Sequence, residues 1–85
     1  MKEIIFDNLV IAISDIAIFF EYADEEVLDS DASIEMMEQL SMRLKAMSED
    51  DKKSVSDKFR EVSVKYDDEQ RKLFVFNLPD ALGLE

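Results

Sequence analysis

Two apolar stripes on one run of some twenty residues constrain this chain more than any other feature of its sequence. At about 100° per residue, Leu9, Ile13, Ile16, Phe20, Ala23 and Val27 fall on one face, the spacing of a helix packed on a core. Ile11, Ile18 and Tyr22 form a second stripe, roughly opposite. Ser14, Glu21 and Glu25 divide the stripes on one side, Asp15 and Glu26 on the other. A helix with two apolar faces needs two partners. One is the chain's own core. The second is a dimer mate or a different protein, or else tighter burial within a monomeric bundle. The reading adopted assigns Ile11, Asp15, Ile18 and Tyr22 to a dimer interface. An unpaired buried carboxylate is costly, so Asp15 is expected at the edge of that face or paired.

The chain has 85 residues, enough for a single helical domain over positions 1–85. A domain this small buries only about 60–65% of its unfolded surface and commonly leans on a metal, a disulfide or oligomerisation. Cysteine and histidine are both absent. That excludes a disulfide framework, argues against zinc, and removes Ser-His and Cys-His nucleophile pairs. Gly83 is the only glycine, so no glycine-rich phosphate loop can form. Catalysis would have to run on carboxylates, lysine or tyrosine alone. The expectation is a non-enzyme without cofactor or metal, supported by homodimerisation. The longest apolar run, residues 9–20, is interrupted by Ser14 and Asp15 and is shorter than the roughly 20 residues of a membrane span. Neither a signal-peptide pattern nor a span is read, and a cytoplasmic location is expected.

The rest of the sequence also reads as helix. The first helix is expected to start from a cap at Asp7 or Asn8 and to run to about residue 28. Turn formers Asp29, Ser30, Asp31 and Ser33 then lead into a second helix over about residues 32–47. Its core stripe is Met37, Leu40, Leu44 and Met47, widened by Ile34 and Met36. Ser48-Glu49-Asp50-Asp51 has the pattern of a capping box and opens a third helix with the stripe Val55, Phe59, Val62 and Tyr66. Glu49 with Lys53 and Glu61 with Lys65 are expected i,i+4 pairs. Asp67 or Asp68 caps a short fourth helix over about residues 69–77; a hairpin of residues 62–66 with 73–76 is the competing reading. Pro79 and Gly83 bracket a final single turn, 79–82. The expected fold class is all-α: a three-helix antiparallel bundle or hairpin with a short C-terminal helical tail, dimeric.

Charge is unevenly placed. The net charge is −11, from 21 acids and 10 bases, and no Lys or Arg lies between Lys2 and Arg43. Inside that gap Asp24, Glu25, Glu26, Asp29 and Asp31 crowd one turn. Such a field repels nucleic acid and anionic lipid and speeds encounter with basic proteins. Glu21, Asp24, Glu25, Glu26, Asp29 and Asp31 are therefore the candidate contacts for a basic protein partner, with a merely solubilising turn as the bland alternative. The segment Asp29-Ser-Asp31-Ala-Ser33-Ile-Glu35 imitates half a calcium loop. It has Ile34 where the sharp turn needs glycine and Leu40 where a bidentate glutamate belongs, so it is read as a helix start.

The long first helix beginning Asn8-Leu9-Val10-Ile11-Ala12-Ile13, the acidic turn, and a third helix opened by Ser48-Glu49-Asp50-Asp51-Lys52 resemble in layout the small acidic helical immunity proteins of bacterial type VI secretion toxin–immunity pairs. The likeness spans about residues 9–66 and leaves out the tail from Asn77 to Leu84. It implies a homodimeric, cofactor-free inhibitor that occludes a basic toxin stoichiometrically, with no catalytic residues to carry over. Two alternatives come from other classes: a nucleic-acid mimic, which would space its acids like phosphates along a face, and a small helical adaptor or chaperone with an apolar groove.

Overall fold

Three helix starts are fixed by the side chains that the local sequence supplies. The Asp29 carboxylate accepts from the Ala32 amide at 3.2 Å, the Ser48 hydroxyl from Asp51 at 3.1 Å, and the Asp68 carboxylate from Arg71 at 3.1 Å. Each satisfies an amide that the first helical turn leaves without a partner. The computed structural model describes residues 2–85 and contains α1 (Glu3–Tyr22), α2 (Ser30–Lys45), α3 (Glu49–Ser63) and α4 (Glu69–Ala81). There is no strand among the described residues, so residues 62–76 form helix and turn rather than a hairpin.

The expected three-helix bundle with a tail is corrected to four helices. The tail is a 13-residue helix that runs through Pro79 instead of restarting there. Pro79 lies in its last turn, where the missing amide removes one intrahelical bond, and its ring is buried. The helix then ends on a glycine cap. Gly83 takes the left-handed conformation at φ +73° and donates to Asp80 O, and Leu84 donates to Pro79 O. This reversal returns Leu84 to the core at 7% exposure.

α1 begins one turn earlier than expected and ends sooner. Its N-cap is Lys2, which makes no side-chain cap, and Ile4, Ile5 and Phe6 are already helical. Asp24 stops it: Oδ1 accepts from Glu26 and Val27, both at 3.1 Å, and offers the backbone a turn in place of another helical bond.

The core is built by α1, α3 and α4. Val10, Ala17, Phe59, Val62, Val75, Leu78, Leu82 and Leu84 are buried together. Along α1 the buried positions are Val10, Ser14 and Ala17. The core face is thus turned by about a quarter turn from the stripe read in the sequence, so that it lies between the two stripes, and Ile13 alone of the first four stripe residues packs against the core from its edge. Leu9 and Ile16, assigned to the core stripe, are 50% and 54% exposed, whereas Ser14, taken as a divider, is fully buried. Small side chains let the helices approach closely, and the Ser14 hydroxyl needs no distant partner because it donates to Val10 O at 2.8 Å. α2 has no buried residue; Met37, Leu40 and Leu44 rest against the core from outside, and Ser41 donates to Leu82 O at 2.8 Å.

Candidate partner-binding surface

α2 leans against the other helices and leaves a groove between α1, α2 and α4. Its volume is about 590 Å³. Phe20 of α1, Ile34, Met37 and Met42 of α2, and Phe74 and Leu78 of α4 supply its apolar wall. Glu21, Glu38 and Lys45 supply charge. Tyr22 meets Phe74 edge-on at 5.9 Å between ring centroids, bracing α1 against α4. The groove has this character because Met37 and Met42 of α2 line it while α2 does not close on its neighbours. Methionine fills irregular space and adapts to varied surfaces.

The acidic turn joins the α1 end to the α2 start beside this groove, since Glu21 and Ser33 both line it. All six candidate contacts, Glu21, Asp24, Glu25, Glu26, Asp29 and Asp31, are exposed. Three also hold the turn together. Asp24 makes the turn described above, Asp29 caps α2, and Glu25 accepts from the Ser30 hydroxyl at 2.9 Å. Glu21, Glu26 and Asp31 have no such side-chain duty among the described residues. They could therefore contact a partner without loosening the fold.

The residues assigned to a dimer interface are spread differently from the stripe read in the sequence. Ile11 and Ile18 are half-buried and pack against the chain's own core. Asp15 is exposed and accepts from the Tyr66 hydroxyl at 2.7 Å, so it is paired within the chain. Burial, followed by this bond to a carboxylate, raises the Tyr66 hydroxyl above its ordinary pKa. Tyr22 is half-exposed beside Phe74.

Lys58 was missed by the sequence reading. Its side chain is 4% exposed, and Nζ lies 2.6 Å from Glu3, 2.6 Å from Asp7 and 3.1 Å from Glu61. It also sits 5.2 Å from the Phe6 ring centroid. Glu3, Asp7 and Glu61 bring three carboxylates to a spacing that suits a cation, and the lysine ammonium occupies their centre. The hydrogen bond from Lys58 holds the Asp7 carboxyl below its usual pKa, and the carboxylates raise that of Lys58. The signal was present in the sequence: Lys58 lies three residues after Val55 and four before Val62, on the apolar face. The expected i,i+4 pairs give way to this and neighbouring contacts. Glu61 turns to Lys58, Lys65 lies 3.8 Å from Asp7, and Glu49 pairs with Lys52 at 2.8 Å.

Among the described residues, no helix is long and apolar enough to cross a membrane. No protein-family model, curated protein or solved structure matches the chain.

Proposed function

We propose that the chain is an immunity-type binding protein that neutralises a basic protein partner by stoichiometric occlusion. The observation that carries this reading is the adjacency of an exposed acidic turn and an open apolar groove. The acids steer a basic surface toward the α1–α2 end, and the groove receives an apolar anchor that slows release. Glu21 and Glu38 at the groove favour a partner segment with basic residues flanking its apolar ones.

The reading is tested first by affinity capture of the tagged protein from native lysate at low and moderate salt. It predicts one stoichiometric basic partner, captured more slowly as salt rises, whose toxicity is relieved by co-expression. Replacing Glu21, Glu26 and Asp31 by their amides should then slow association about tenfold at low salt and flatten its salt dependence. Unchanged kinetics would remove the acidic turn from the mechanism. A second reading, a helical adaptor serving several partners, is favoured by the exposure of Met36 and Met42, at 48% and 70%. Capture of many proteins without a dominant one would move the weight there.

A further inference from the structure

The charged side chains along the groove between α1, α2 and α4 have no ionic partner. Glu21, Glu38 and Lys45 line it and form no salt bridge among the described residues. By contrast, Lys52, Lys53, Lys58, Lys65 and Lys72 each pair with a carboxylate. The unpaired charges are also sorted by sign. Lys45 stands at one end, where its side chain packs over Gly83 and Ser41 bonds to Leu82. Glu21 stands at the other, next to Tyr22 with its Phe74 contact and beside the acidic turn. From Ser33 to Lys45 the groove follows α2 for about 18 Å. Its apolar wall faces solvent there: Ile34 is 57% exposed and Met42 70%.

We infer that the groove takes an amphipathic helix of about three turns from a partner protein, with Lys or Arg at one end of the helix and an Asp or Glu at the other. The inference rests on the binding role proposed above and adds the form, length and charge order of the segment bound. A helix of about twelve residues spans the 18 Å. One face of it then presents three or four apolar side chains, at intervals of three and four, to Phe20, Ile34, Met37, Met42 and Phe74. The open side of the groove favours this occupant over a small molecule. A small ligand is held by burying about 70–90% of its surface, whereas a helix needs to bury only its apolar face. Charge fixes the order of the flanking residues. Bases at one end of the bound helix pair with Glu21 and reach toward Glu38, with the acidic turn beyond them. A carboxylate at the far end pairs with Lys45, which a uniformly basic segment would oppose with charge of its own sign. A second copy of this chain, at −11, or a nucleic acid would likewise meet Glu21, Glu38 and the acidic turn with like charge.

Selection of displayed random peptides of about 14 residues on the immobilised full chain tests the inference. The expected winners carry apolar residues at helical intervals, bases toward one end and an acid toward the other. The winning peptide, synthesised with a fluorescent label, gives a dissociation constant by anisotropy. Ile34→Asp and Met42→Asp, both at exposed positions, should each weaken it at least about tenfold with helical circular dichroism retained. Lys45→Glu should weaken it about fivefold at low salt, and exchanging the peptide's acid for lysine should restore binding to that variant. Absence of enriched peptides, winners without helical spacing, indifference to Ile34→Asp and Met42→Asp, or failure of the charge exchange to restore binding each overturns the inference. Failure of the immunity-type reading alone has a different signature: the peptide behaves as described, which upholds the groove assignment, yet no stoichiometric basic partner is captured from lysate.

Discussion

Replacing Gly83 by alanine probes how the C-terminal end of α4 is held. The glycine sits at φ +73°, and an added Cβ would lie 2.6 Å from Lys45 Cε and 3.2 Å from its Nζ. Two effects therefore compete. A side chain in the left-handed region costs about 1–2 kcal/mol, and alanine restricts the unfolded chain enough to return about 0.4–1 kcal/mol. The clash adds little, because it involves the far end of a flexible, exposed lysine that can swing aside. The expected net loss is about 1 kcal/mol, or a fall in Tm of about 4–8 °C for a domain this size. Urea melts followed by circular dichroism give the free energy directly. The decisive comparison is a cycle with Lys45→Ala. If backbone strain is the cause, Gly83→Ala costs the same in either background, within about 0.5 kcal/mol. Gly83→Asn, which tolerates the left-handed region, should cost less. Full rescue by Lys45→Ala would show that the side-chain contact, not the backbone conformation, sets the penalty. A neutral Gly83→Ala would refute the glycine-cap account altogether.

Two further outcomes follow from the ionisable contacts. Lys58→Met leaves Glu3, Asp7 and Glu61 without their central cation. The variant should melt lower than the parent at pH 7 and close the gap as pH falls toward 4 and Asp7 takes up its proton; a constant difference in Tm across that range would show that lost packing, not charge, is responsible. In the parent, the lowered Asp7 pKa means that the folded state binds its proton more weakly than the unfolded chain does, so stability present above about pH 4 is lost as pH falls below it. Tyr66 has the opposite sign. Its raised pKa contributes stability that is complete below the ordinary tyrosine value of about 10 and lost as pH climbs beyond it. Tyr66→Phe should remove that alkaline loss in thermal melts across pH 9–11, and an unchanged alkaline limb would separate Tyr66 from it.

What was legible in the sequence was mostly local. Ser48 and Asp68 were readable as caps because the same few residues that make the cap also announce it, and the stripe of Met37, Leu40 and Leu44 has the phase seen in the structure. Large apolar side chains misled the reading of α1. Hydrophobicity favours the Leu9–Ile16 face, but close packing favours the small residues Ser14 and Ala17, and packing decided which face turned inward. Lys58 escaped notice because its three carboxylates come partly from the far end of the sequence. The reach of α4 past Pro79 was hidden by a residue that more often begins a helix than ends one. Of the candidate site, the exposed acids could be read directly. The groove could not, since it exists only where residues from three separate helices converge.

α2 stands apart energetically as well as spatially. It buries no residue, while α1, α3 and α4 carry the core between them. Substitutions at Met36 and Met42 leave that core untouched, so these positions can vary with little penalty to folding, whereas Met37, Leu40 and Leu44 rest on the core. On the immunity-type reading proposed above, the residues that hold the core and those that would adapt to a partner then lie on different helices.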